Sequence, residues 1–167
     1  SGSMRGFPLD ISKKILRDLI SKLRAYDKFN VLLFAGTSST LAERSLPATS
    51  VNITKAIQFI EKQRGGGGTE LLPALNRAIN LKGTEEYSRT VVILTDGYVR
   101  VEKEAFDLIR KNLSTANFFT FGIGSSVNRY IIEGMARVGM GEHFVVTKPD
   151  KAEEKANKFR KYIQFPV

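Results

Sequence analysis

The sequence predicts an α/β domain in which an open, parallel sheet is covered by helices on both faces. Short apolar runs recur along the chain: "FNVLLF", "TVVILT", "NFFTFGIG" and "HFVVT". Between them lie amphipathic stretches of helical period, about ten to fifteen residues long, and strands so separated are joined by parallel crossovers. Length and composition agree. A chain of 167 residues with 42% apolar content can bury one real core and reads as a single domain.

Pro8 to Leu23 places Leu9, Ile15, Leu16, Leu19, Ile20 and Leu23 on one face, with Pro8 suited to a first helical turn. Phe29 to Phe34 is a continuous apolar run bounded by polar and glycine residues, which reads as a strand buried on both faces. Residues 36–50, rich in Ser and Thr, form a loop with a short edge strand near Thr40 to Ala42. Val51 to Gln63 sets Ile53, Ala56, Ile57 and Ile60 on one helical stripe. "RGGGGTE" interrupts the chain, and a third helix runs from about Leu71 to Leu81. Thr90 to Thr95 is a second buried strand, followed by a helix near Val101 to Leu113. The third strand ends at Gly122 and Gly124. Asn128 to Val138 is helical, His143 to Thr147 is a fourth strand, and Ala152 to Ile163 is the closing helix.

The formal net charge is +9, from 26 Lys and Arg against 17 Asp and Glu. Such a balance attracts nucleic acid or anionic surfaces when it is concentrated. Here it is spread along helices. The densest run, "KPDKAEEKANKFRKY", interleaves acids and bases at spacings of three and four, the pattern of a solvated helix face. Nucleic acid is therefore not an expected partner. The absence of cysteine removes disulfides, thiolate metal sites and cysteine nucleophiles. One histidine and no HExxH leave nucleophilic and zinc-hydrolase mechanisms without material, and His143 reads as a surface or core residue.

In an open α/β sheet, ligands bind beyond the carboxyl ends of the strands. Asp96 stands there, directly after "TVVILT", where a carboxylate caps the next turn or binds a cation. The "GGGGTE" loop presents the Thr69 hydroxyl beside Glu70 before a helix, but it lacks the lysine of a phosphate-binding loop. "FGIGSS" has G-x-G after a strand, yet Val127 fills the third glycine position and the next strand offers no ribose-binding acid, so a tight turn explains it better. In the opening stretch "SGSMRGFPLD", Ser1 and Ser3 put two hydroxyls on one side of an extended loop. Together with Thr69 and Asp96 they make a set of hard oxygen donors with little charge. Magnesium suits such a set, since it keeps waters and usually takes one or two carboxylates.

These motifs resemble the von Willebrand factor type A domain, whose metal-ion-dependent adhesion site reads Asp-x-Ser-x-Ser, then a distant Thr, then an Asp after a central strand. "SGSM" matches from the first serine onward, "GGGGTELLPAL" resembles the threonine loop, and "VVILTDG" the aspartate strand. "FNVLLF", "LPATSVNITKAIQFIEKQRGGGGTELLPAL", "FTFGIGSSVNRYIIEGMARVGMGEHF" and the ending "FPV" resemble the inter-alpha-trypsin inhibitor heavy-chain-like proteins, in which this domain follows a VIT domain. The likeness covers residues 1–167 in order.

The resemblance implies a Rossmann-like, mostly parallel sheet with helices on both faces, and metal-ligand positions at Ser1, Ser3, Thr69 and Asp96. The family's first aspartate and the central strand carrying it would precede Ser1, so the chain is expected to lack its first strand and to hold Mg²⁺ or Mn²⁺ weakly or not at all. The implied function is a non-enzymatic, extracytoplasmic adhesion or protein-binding module, in which an acidic group of a protein partner completes the metal's coordination. Self-association through the slot left by the missing strand is also expected. The alternative reading is a nucleotide- or phosphate-binding α/β protein.

Overall fold

The computed structural model describes residues 6–35, 37–64, 71–81, 88–95, 102–125 and 127–164. In chain order these form α1 (Phe7–Ser21), β1 (Lys28–Phe29), β2 (Leu32–Ala35), β3 (Thr37–Thr40), β4 (Leu46–Pro47), α2 (Ser50–Glu61) and α3 (Leu71–Ile79). There follow β5 (Thr90–Thr95), α4 (Glu102–Lys111), β6 (Asn117–Ile123), α5 (Arg129–Val138), β7 (His143–Val146) and α6 (Lys151–Gln164). None of the described helices is long and apolar enough to cross a membrane.

The second half of the chain builds the expected parallel sheet, in the order β5-β6-β7. Its register runs from Thr90 opposite Asn117 to Thr95 opposite Gly122, and from Thr120 opposite His143 to Ile123 opposite Val146. Successive side chains of a strand point to opposite faces, and here both faces meet helices. Val92 and Leu94 of β5, Phe119, Phe121 and Ile123 of β6, and Phe144 and Val146 of β7 pack with α1 and α6. Val91 and Ile93 of β5 and Phe118 of β6 face the other way, into a cluster with α3, α4 and α5. Thr120 shares that second face. Its buried hydroxyl donates to the Ile132 carbonyl at 2.7 Å, so a polar atom in the core is satisfied by a helix.

The first half departs from expectation. "FNVLLF" is two strands, not one. Phe29 ends β1, which pairs antiparallel with β4; after Asn30 and Val31, β2 begins and pairs antiparallel with β3. The cause is Asn30. Its side-chain amide donates across to the Ala42 carbonyl at 2.8 Å and its side-chain oxygen accepts from the neighbouring Val31 amide at 2.8 Å, so side-chain bonds stand where ladder bonds would. The edge strand expected at Thr40 to Ala42 is β3 at Thr37–Thr40, and β4 stands within the stretch expected to be loop. β2 is nevertheless covered on both faces: Leu33 packs against α1 and α2, and Phe34 against the α3–α5 side. β2 and β5 do not pair with each other; they belong to separate sheets among the described residues.

Candidate metal centre

Ser1, Ser3, Thr69 and Asp96 all lie outside the described residues. The elements that adjoin them are described, and their directions can be compared. Thr95 closes β5 at its carboxyl end, 2% exposed, one residue before Asp96. Leu71, 1% exposed, opens α3 two residues after Thr69.

Arg89 fixes how these two elements run. It precedes the first residue of β5, and its guanidinium donates to the carbonyl of Ile79, the last residue of α3, and to that of Leu81 at 2.7 Å. The carboxyl end of α3 therefore meets the amino end of β5. Leu71 and Leu75 of α3 belong to the same hydrophobic cluster as Ile93 of β5, which places the helix on that face of the strand. α3 runs antiparallel to β5, with its amino terminus toward the carboxyl end of the strand.

α1 reaches the same side of the sheet. Gly124 follows β6 directly, and a Cβ there would sit 3.6 Å from the Pro8 side chain in the first turn of α1. Since β5 and β6 are parallel, three chain ends lie at one side of the sheet: the start of α1, the start of α3 and the end of β5.

The G-x-G of residues 122–124 is occupied by packing. A Cβ at Gly122 would come within 2.5 Å of Val127 Cγ1 and 3.0 Å of Ile132 Cγ1, and Gly124 has φ +139, a conformation side chains rarely adopt. Gly122, inside β6, leaves room for Val127 and Ile132 to pack on the strand, and Gly124, just after β6, takes the positive φ. His143 is a half-exposed surface residue. Its Nε2 is 3.9 Å from a Glu133 oxygen and its Nδ1 is 3.9 Å from a Glu142 oxygen. Among the described residues, no group of three or more His, Asp or Glu could hold a metal ion. Arg89 was missed by sequence reasoning, because an arginine ahead of an apolar run gives no sign of which carbonyls it will bind.

Comparison with known proteins agrees with this architecture. The family model for the von Willebrand factor type A domain matches residues 1–143. A von Willebrand factor A domain-containing protein of Dictyostelium discoideum is 32% identical over 159 residues, covering 95% of this chain and 17% of the relative. Inter-alpha-trypsin inhibitor heavy chain H3 of Pongo abelii is 30% identical over 149 residues, covering 81% of this chain and again 17% of the relative. The chain thus spans about a sixth of the length of these relatives. Among solved structures, a von Willebrand factor type A protein from Catenulispora acidiphila superposes with TM-score 0.83 at 19% identity, over 96% of this chain and 39% of that one. Proximal thread matrix protein 1 from the mussel byssus, solved with a zinc-occupied MIDAS motif, superposes with TM-score 0.66 at 18% identity, over 92% of this chain and 40% of that one. With a parallel sheet between two helical layers, and the family model covering most of its length, this chain belongs to the von Willebrand factor type A domain family.

Proposed function

We propose that the chain is a non-enzymatic protein-binding module whose partner supplies an acidic group to a divalent cation held by Ser1, Ser3, Thr69 and Asp96. One observation carries the reading. The elements adjoining all four residues, the start of α1, the start of α3 and the end of β5, lie at the same side of the parallel sheet. The donor chemistry supports it. Three hydroxyls and one carboxylate are hard oxygen ligands of low total charge, which suits Mg²⁺ or Mn²⁺ with retained waters. A cation so weakly neutralised attracts a further carboxylate more strongly than one whose protein ligands cancel its charge. The zinc-occupied motif of the mussel byssus protein is support by fold likeness alone.

The family pattern places its first aspartate two residues ahead of Ser1, and Ser1, Ser3, Thr69 and Asp96 carry one carboxylate between them. Calorimetry on residues 1–167 with Mg²⁺ or Mn²⁺ is expected to show weak binding or none. Placing Asp-Xaa before Ser1 is expected to raise affinity at least about tenfold, roughly 1.4 kcal/mol, and Asp96→Ala is expected to abolish the gain. Unchanged affinity in Asp96→Ala would overturn the ligand assignment. Stabilisation of the chain by a nucleotide but not by Mg²⁺, read as a melting shift, would favour a nucleotide-handling protein instead.

A further inference from the structure

β7 is the last strand of its sheet, and among the described residues no strand pairs with its outer side. Its bonding pattern shows which groups face outward. The Glu142 carbonyl accepts from the Thr120 amide at 3.2 Å, and the Val146 carbonyl accepts from the Gly124 amide at 3.1 Å. Residues 142, 144 and 146 therefore turn their peptide groups toward β6. By the alternation of a parallel ladder, the N–H and C=O of His143 and Val145 point away from it. His143 and Val145 are among the residues lining the floor of a cleft of about 340 Å³. Arg129 of α5 flanks it from one helix, and Lys155 and Lys158 of α6 from the other. Glu142 is the one carboxylate among the residues lining it. Arg129 reaches Glu133 only at 4.0 Å, Lys155 reaches Glu154 at 3.7 Å, and Lys158 has no ion-pair partner among the described residues.

We propose that this edge binds an extended acidic segment of a protein partner, which adds to the sheet as a strand beside β7. Two features select that ligand. The floor alternates donors and acceptors, and outward carbonyls need N–H donors, which a peptide backbone carries and a phosphate chain does not. The flanking cations favour Glu or Asp side chains on the incoming strand. Two copies meeting edge to edge at β7 would bring their Arg129, Lys155 and Lys158 side chains together, so the charges that protect the edge from self-pairing also define what it accepts. The site is independent of the proposed metal.

The test is a titration of the ¹⁵N-labelled chain, residues 1–167, in EDTA, with an acetylated and amidated peptide alternating Glu and Val. The amide resonances of His143 and Val145 are expected to move most and to saturate. Two further peptides carry N-methyl groups on their odd or their even residues. A strand pairs through one edge only, so one of the two should bind at least tenfold more weakly while the other retains affinity. Reversing both helix charges, Lys155→Glu with Lys158→Glu, should also weaken binding at least tenfold; an unchanged melting temperature would show that the fold persists. Equal binding by both N-methylated peptides would overturn strand addition. So would largest shifts elsewhere in the chain, or a single-stranded oligonucleotide that moves the same resonances at lower concentration than the peptide.

Discussion

Gly141 sits where no side chain fits. A Cβ there would come 1.9 Å from the carbonyl oxygen of Phe118. The turn after α5 is bound closely to the start of β6, with the Phe118 amide donating to the Gly139 carbonyl at 3.1 Å and the Gly141 amide to the Ala136 carbonyl at 3.0 Å. Gly141→Ala must push this turn off the strand, and overpacking of that kind costs about 1–3 kcal/mol. The expected result is a lower urea midpoint with little change in the slope of the transition. A midpoint equal to that of the parent chain would mean that the turn can shift without loss. Nothing in "GMGEH" announces the requirement, because it arises from contact with a residue more than twenty positions away. The proposal of metal ligands rests on the opposite kind of signal. Hydroxyl and carboxylate oxygens carry their chemistry in the residue type, so Ser1, Ser3, Thr69 and Asp96 could be named from position and resemblance before any coordinates.

Elements were legible where one signal acts alone. "TVVILT" and "NFFTFGIG" are covered on both faces by helices, and their unbroken apolar runs say so. "FNVLLF" looks the same on paper, but Asn30 competes for the backbone with its own amide and divides the run. Asn30→Ala should leave the Ala42 carbonyl and the Val31 amide without these bonds and cost about 1–3 kcal/mol; chemical denaturation measures it, and a neutral result would mean that water replaces both. In α6 the expected solvated face is found, and it yields a pH prediction. The hydrogen bond from Lys151, followed by the charge of that ammonium, lowers the Glu154 carboxyl below its ordinary range, and the pair in turn raises Lys151. A lowered folded-state value gives stability that is present above the unfolded value and lost as pH falls through the folded one. For Lys151 the sign reverses: its contribution is complete below the unfolded value and lost as pH rises through the folded one. Both groups are exposed, so the readout is the titration itself. The Glu154 midpoint, followed by NMR, should lie below that of glutamate in an unstructured peptide and move up in Lys151→Gln. A midpoint that does not move would exclude this pair as the cause.

At the scale of the molecule, the β2–β3 pair and the β5-β6-β7 sheet are joined by helices and, among the described residues, not by strands. α1 packs Ile11 and Ile15 against β6 and β7 and Ile20 against Val31 beside β2, while α3 packs against both Phe34 of β2 and Ile93 of β5. The helical layers are thus continuous across β2 and β5, although the strands themselves do not pair. β5 bonds to β6 on one side and β2 to β3 on one side; among the described residues, the other edge of each has no strand partner. A buried peptide group left unpaired costs on the order of 1–3 kcal/mol, and several together rival the whole stability of a domain, about 5–15 kcal/mol. Direct pairing of the two strands, at about 4.8 Å, would draw together helices whose packing on both faces is already made. We therefore expect residues 1–167, prepared alone, to fill these edges with an extended segment from a second copy. Sedimentation should show a concentration-dependent dimer or larger species. Hydrogen exchange should show the amides of β5 that face away from β6 becoming protected as association proceeds. A monomer at every concentration tested, with those same amides already protected, would show that the chain satisfies the edge by itself and would remove the basis for self-association there.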